Sequence, residues 1–236
     1  MESSQRRKEK ATLEVKTLFS GWIETEINVA KAISNAAGRL YDKGITEITA
    51  QSLLEEMTGK RTRTPETLEE LERLCAKMAI TRVIIAVSDE EKAAYKATRN
   101  INPTYWLPCE IYITWNKDKV DKVFRLKERP PFYAYASDKK QLFTCKKEGI
   151  DLKPNLEDVA LFEFLGEEVH RCKGGKSPCI TCEKLYKSVG AETERQRRTA
   201  RNKAEKILGG LSRQGTVKSY KAYKIGAKIQ GYKVKY

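Results

Sequence analysis

Twice along this chain, three short runs with an apolar residue at every third or fourth position are followed by runs that alternate, and that double order restricts the folds available to it. In the first series Ile23, Ile27, Ala30, Ile33, Ala37, Leu40 and Tyr41 predict an amphipathic helix over residues 19–41, stopped by Gly44. A short extended piece, 45–48, leads to Thr49 as N-cap of a helix carrying Leu53, Leu54 and Met57 and ended by Gly59. Pro65 opens the third helix, whose stripe is Leu68, Leu71, Leu74, Cys75 and Met78. Residues 81–87 are β-branched and extended, with 105–107 or 111–115 as partner. A further hairpin is predicted from 109–115 and 120–126, around Asn-Lys-Asp-Lys.

The second series is cleaner. Asn155 caps a helix carrying Leu156, Val159, Ala160, Phe162, Phe164, Leu165 and Val169, and a Gly-Gly-Lys-Ser-Pro loop follows. Residues 179–189 form a shorter helix ended by Gly190. A long third helix over 193–211 buries Ala200, Ala204, Ile207, Leu208 and Leu211, and strands 217–224 and 228–236 turn about Gly226. Helix, helix, helix and hairpin is the order of a winged helix. The expected fold class is therefore α+β, with two winged-helix domains (each a helix-turn-helix plus a β-hairpin wing) joined by a hairpin and a short linker. Pro130-Pro131 breaks the chain between them. The expected divisions are a basic N-terminal arm at 1–16, a first domain at 17–127 including the extra hairpin, a linker at 128–152 and a second domain at 153–236.

Charge separates the two domains. The chain has 46 basic and 32 acidic residues, net +14, yet residues 184–236 alone hold 15 basic against 3 acidic side chains. Such density repels itself unless a polyanion is the partner, and Tyr186, Tyr220, Tyr223, Tyr232 and Tyr236 add rings suited to phosphates and sugars. On the long third helix Arg195, Arg198 and Asn202 lie opposite the buried stripe, flanked by Thr199 and Arg201. Arginine reads guanine and asparagine reads adenine by paired hydrogen bonds, so these five are the candidate base-reading residues for double-stranded DNA. Lys206, Lys218, Lys221, Lys224 and Lys228 are the candidate phosphate contacts on helix and wing. The competing reading is a solvated helix face.

The third helix of the first domain has the opposite character. Glu66, Glu69, Glu70 and Glu72 outnumber Arg73 and Lys77, which disfavours entry into a groove. Contact with protein is expected there, either a homodimer or another partner, while simple packing on the neighbouring domain explains it equally well. Arg61 and Arg63 in the preceding loop leave a secondary DNA contact open.

His170, Cys172, Cys179 and Cys182 fall within 13 residues as H-x-C-x6-C-x2-C, a spacing that suits a structural zinc ion. The same helical spacing also suits small core residues. Cys75, Cys109 and Cys145 read as packing residues, and no other cofactor is required. Gly59-Lys60-Arg61 and Gly175-Lys176-Ser177 lack the upstream glycine of a phosphate-binding loop. One histidine is too few for a paired-histidine nicking site, and the carboxylates are scattered, so no enzyme is expected. No apolar run follows Arg6, Arg7, Lys8 and Lys10, and none reaches bilayer length, so the expected location is cytoplasmic with no membrane contact.

Several stretches resemble the tandem winged-helix replication initiators of bacterial plasmids and phages. WLPCEIYITW followed by RLKERPPFYAYASDKKQLF is similar to the segment joining the two domains in that family; LFEFLGEEVHR, CEKLYKSVG, RNKAEKILGGLSRQGTVKSY and GYKVKY follow in the second domain. Together they span roughly residues 45–236. The resemblance implies that the C-terminal winged helix binds origin repeats through Arg195, Arg198, Thr199, Arg201 and Asn202. It implies that the first domain dimerises or makes a secondary DNA contact, with Leu68, Leu71 and Leu74 as its contact residues. It also implies that a host helicase or helicase loader is recruited. The cysteine cluster departs from the family pattern. A winged-helix transcriptional regulator, with or without structural zinc, is the alternative reading of the same residues.

Overall fold

A buried helix made largely of small residues is the centre of the structure, a computed structural model that describes residues 14–17, 21–86, 104–116, 119–138, 142–143, 149–172 and 179–235. In this helix, α1 (Glu24–Asp42), Ala30, Ala32, Ser34, Ala36, Ala37 and Gly38 are all buried. Short side chains let neighbouring helices approach closely. α2 (Ala50–Thr58), α3 (Pro65–Ile80), α4 (Pro131–Asp138) and α5 (Leu156–Cys172) all pack against it.

The local signals operate as the sequence predicts. Ser52 N–H donates to Thr49 Oγ1 at 3.2 Å and Thr49 N–H to Ser52 Oγ at 2.9 Å, a reciprocal cap at the start of α2. Gly59 ends α2 with φ 73°, a backbone conformation that costs glycine little. Pro65 occupies the first turn of α3. On α3, Leu71 and Leu74 are fully buried in the chain's own core and Leu68 packs against it. These leucines, expected to meet a partner, are core residues because the apolar stripe of an amphipathic helix is buried first within its own unit.

Strand pairing departs from expectation. β5 (Cys109–Asn116) and β6 (Lys119–Leu126) form the expected hairpin, but β6 also pairs with β2 (Glu47–Ile48), with Ile48 opposite Phe124. This hairpin, read from sequence as an addition, is thus the one attached to the helical unit. β3 (Arg82–Ala86), expected to begin the wing, lies instead in a separate sheet between β1 (Glu14–Thr17) and β4 (Thr104–Tyr105). Of the two expected partners for β3 the earlier is the one observed, Arg82 standing opposite Tyr105 and Val83 opposite Thr104, while β5 pairs with β6. The last part of the expected arm therefore belongs to a sheet; residues 1–13 lie outside the described residues.

The second unit comprises α5, β7 (Ile180–Thr181), α6 (Cys182–Ser188), α7 (Glu194–Arg213), β8 (Ser219–Ile225) and β9 (Lys228–Lys235), with sheet order β7-β9-β8. Asn155 caps α5 as expected, its Oδ1 accepting from Asp158 N–H at 2.9 Å. β7 was not legible in the sequence, since two residues carry no periodicity. The core of this unit gathers Leu161, Leu165, Val169, Ile180, Leu185, Ile207, Leu208, Leu211 and Tyr232.

α5 is shared between the units. Leu156, Val159 and Ala160 belong to the core around α1, whereas Leu161, Leu165 and Val169 face the second core. Polar contacts reinforce the junction: Lys31 Nζ lies 2.8 Å from Glu167, Asn35 Nδ2 donates to Glu163 Oε1 at 2.7 Å, and Asn28 Nδ2 donates to Ser188 O at 3.3 Å. The segment read as a linker is also built in. Phe132 and Tyr133 of α4 are buried beside α1, and Ile150 and Leu152 enter the second core. Burial is available there because Pro130-Pro131 turns the chain back onto α1 and thereby opens a helix.

Tyr133 fixes that return. Its hydroxyl donates to Asp42 Oδ2 at 2.8 Å, and Arg129 donates to the same oxygen at 2.9 Å. These bonds, Arg129's first, hold the Asp42 carboxyl below its ordinary value. A Cβ on Gly38 would lie 2.0 Å from the Tyr133 ring. Gly38→Ala is expected to destabilise the protein in urea unfolding, because overpacking of about 1–3 kcal/mol outweighs about 1 kcal/mol of helix propensity gained. Adding Tyr133→Ala should remove that penalty in a double-mutant cycle.

Candidate nucleic-acid interface

The N-terminal half of α7 and the β8–β9 hairpin carry the densest exposed positive charge among the described residues. α7 starts at a reciprocal cap, Gln196 N–H donating to Thr193 Oγ1 at 3.3 Å and Thr193 N–H to Gln196 Oε1 at 2.9 Å. Ala200, Ala204, Ile207, Leu208 and Leu211 face the core, so 3.6-residue periodicity turns Arg195, Arg198, Thr199 and Asn202 to solvent. Neither Arg195 nor Arg198 makes an ion pair with a described residue, and Thr199 Oγ1 donates only to the carbonyl of Arg195, at 3.0 Å.

Arg201 is placed differently from its expected neighbours. Its Nη1 donates to Tyr186 Oη at 2.6 Å and its Nη2 to Glu194 Oε1 at 3.0 Å. The Glu194 bond is the main reason its guanidinium is held more firmly protonated than usual. Arg197 and Arg201 both lie over the Tyr186 ring, 5.4 and 5.8 Å from its centroid. This pair fastens α7 to α6 through cation–π contact. Sequence periodicity placed Arg201 on the flank of the exposed face but could not reveal the ring beneath it.

Lys203 is a second fastening. Its Nζ lies 2.9 Å from Glu157 and 2.6 Å from the buried Asp158, tying α7 to the first turn of α5. Tyr232 supplies a third: its hydroxyl lies 3.4 Å from Arg201 O and 3.2 Å from Glu205 Oε1. Burial drives the Tyr232 phenol far above its ordinary value, so it stays a protonated donor.

The hairpin has two distinct faces. Tyr220 and Tyr232 turn inward, Tyr220 donating to Glu205 O at 3.2 Å. Alternation then turns Lys221, Tyr223 and Lys233 outward. Lys221 stands directly opposite Lys233, and Lys233 Nζ lies 5.0 Å from the Tyr223 ring centroid. Like charges opposite one another disfavour pairing, an arrangement that bound anions would relieve. Lys218, Lys224 and Lys228 are exposed along the same hairpin. Sequence reading missed Lys233, because a register shift between Tyr223 and Lys224 hides which residues face each other.

Lys206 sits apart from the hairpin lysines. With Asp151, Asn202, Glu205, Gly209, Arg213 and Tyr220 it lines an open cavity of about 650 Å³ beside α7. Lys60 from the first unit reaches Asp151 at 3.1 Å on its rim. That bond, with Lys206 and Lys153 nearby, holds the Asp151 carboxyl below its ordinary value.

Of the expected zinc ligands, Cys179 lies close enough to Cys182 to act on its thiol. Among the described residues no three His, Cys, Asp or Glu side chains are grouped to hold a metal ion. Cys182 is buried, its Sγ 3.5 Å from Ile229 O, and burial pushes its thiol up. His170 lies in the last turn of α5, and the side chain of Cys172 lies outside the described residues. No helix among the described residues is long and apolar enough to cross a membrane.

No family model and no curated protein matches the chain. Among solved structures, the chain is similar to a crystal structure of domains 2 and 3 of RctB, determined as a selenomethionine derivative. The match covers 97% of this chain and 92% of that one, at 11% identity and a TM-score of 0.44.

The two kinds of cation on α7 separate by experiment. Lys203→Met keeps the apolar stem but leaves Asp158 Oδ1 without its cation, Oδ2 keeping the Lys153 N–H at 2.9 Å, and is expected to cost about 1.5–3 kcal/mol in urea unfolding. Arg198→Ala should leave stability within about 0.5 kcal/mol of the parent, as for a surface site away from such contacts.

Proposed function

We propose that this chain is a non-catalytic, sequence-specific double-stranded DNA-binding protein built from two winged helices, and that it starts replication by binding origin repeats. The observation that carries DNA binding is the division of cations on α7. Arg197, Arg201 and Lys203 are consumed in holding the helix, while Arg195, Arg198 and Asn202 stand exposed, and the same unit exposes the Lys221, Tyr223 and Lys233 face of the hairpin.

In this reading α7 enters the major groove. Arg195 and Arg198 present paired donors to guanine and Asn202 a donor and an acceptor to adenine. Lys206, Lys218, Lys221, Lys224, Lys228 and Lys233 neutralise phosphates without reading sequence. Tyr186, beneath Arg197 and Arg201, sets the angle at which α7 meets the duplex. The β2–β6–β5 sheet gives the first unit the strand-plus-hairpin arrangement of a wing. The replication role rests on the segments similar to plasmid and phage initiators, and recruitment of a host helicase or loader follows from the same likeness.

Arg198→Ala is expected to lose about 1–3 kcal/mol of discrimination at one base pair, measured by selection from a random duplex pool. Lys221→Ala should weaken all sequences alike and reduce the salt dependence of binding by about one unit of slope in anisotropy titrations. Equal effects from both substitutions would remove the assignment, as would association that ignores ionic strength. Selected sites should recur near an origin, and the protein should sustain an origin-only plasmid. Change of promoter output without replication would mark a regulator instead, and cleavage of labelled duplex with Mg2+ would mark an enzyme.

A further inference from the structure

The first unit carries a second surface, to which the proposed contacts of α7 and the β8–β9 hairpin with a duplex do not extend. Ile111, Ile113 and Trp115 of β5 share one face and are 41%, 55% and 79% exposed. Phe124 stands opposite Ile111 and is fully buried, while Lys122 stands opposite Ile113. The face therefore begins in the core and runs out of it along the hairpin, leaving contiguous large apolar side chains in water. Isolated exposed apolar residues are ordinary, but a contiguous row marks an interaction site.

α3 borders this row. Cys109, at the base of β5, lies close enough to Cys75 to act on its thiol, and Lys122 Nζ is 3.0 Å from Glu72, one turn earlier on α3. Moving outward along β5 thus means moving toward the N-terminal turns of α3, where Glu69 precedes Glu72 by three residues and Glu66 precedes Glu69 by three. Glu66 and Glu69 are exposed and make no ion pair with a described residue. Among the described cations, Lys122 on the same face is committed to Glu72, and Arg125 and Lys127 on the other face of the hairpin to Glu47 at 2.8 Å and Glu110 at 3.0 Å, while Arg63, exposed three residues before Glu66, is outnumbered by Glu66, Glu69 and Glu70. Among the described residues the surface is apolar with an excess of negative charge. Nucleic acid is repelled by it, and a second copy docked face to face would bring the same carboxylates together.

We infer that the outer face of β5 and the first turns of α3 form a docking surface for a basic, amphipathic protein segment. Trp115 and Ile113 are its apolar anchors, and Glu66 and Glu69 meet the partner's lysines or arginines. Anchors of this type dominate interfaces when they fill a desolvated pocket, and a helix offering apolar residues at i, i+3 and i+4 with basic flanks matches the row.

The inference does not rest on duplex binding and is tested separately, by panning a displayed library of random peptides on the full chain. Enriched peptides should be net positive, with apolar residues at helical spacing. Each should shift the tryptophan emission of the parent to shorter wavelength, a change absent from Trp115→Ser. Affinity should fall at least tenfold in Trp115→Ser and in the Glu66→Gln/Glu69→Gln double variant, with duplex affinity unchanged in both. The inference is overturned if no binder emerges, if binders are acidic or indifferent to these substitutions, if oligothymidylate produces the Trp115 emission shift, or if Trp115→Ser abolishes a concentration-dependent self-association.

Discussion

Close packing of α1 is the constraint on which the rest of this architecture depends. A helix buried on several sides must present small side chains to its neighbours, and the run from Ala30 to Gly38 does so. One neighbour, α5, belongs by sequence order to the second unit, yet contributes Leu156, Val159 and Ala160 to the core around α1. The two units are therefore joined through a shared helix, with Lys31–Glu167 and Asn35–Glu163 satisfying polar groups at the edge of the junction. Domains joined by a free connector reorient easily, whereas a shared core resists it.

That rigidity passes to α7. α5 holds it through Asp158 and Lys203, α6 through Tyr186 beneath two arginines, and the hairpin through the hydroxyls of Tyr220 and Tyr232. Three elements thus fix one helix while its opposite face stays open. A helix fixed in this way loses little further freedom when it meets a ligand, which is the condition for discriminating between similar sequences. Charge is divided to match: cations that hold the fold have carboxylate or ring partners, and those on the open face have none among the described residues. In the first unit most of the described cations are paired and Glu66 and Glu69 are left over, so the two units suit partners of opposite sign.

Much of the fold was legible because its signals are local. Thr49, Asn155 and Thr193 cap helices through bonds spanning three residues, and Gly59 needs only its own φ. The hairpin over 109–126 follows from alternation on either side of a turn. The errors share a different cause. Pairing of β3 with β1, insertion of β6 beside β2, burial of Leu71 and Leu74 within their own unit, and burial of Phe132, Ile150 and Leu152 in the two cores all depend on contacts between distant residues. Arg201 was misplaced for the same reason, since the side chain beneath it lies 15 positions away.

The sequence by itself determined where helices begin and end, which faces are apolar, and that positive charge accumulates in the last 53 residues, because propensity, periodicity and composition act over a few neighbouring positions. Tertiary structure alone decided which strands pair, which cysteines turn inward, and which of five arginines on one helix remain available. Those outcomes depend on what burial and opposite charge offer each side chain across the fold, and a one-dimensional pattern contains no such distances.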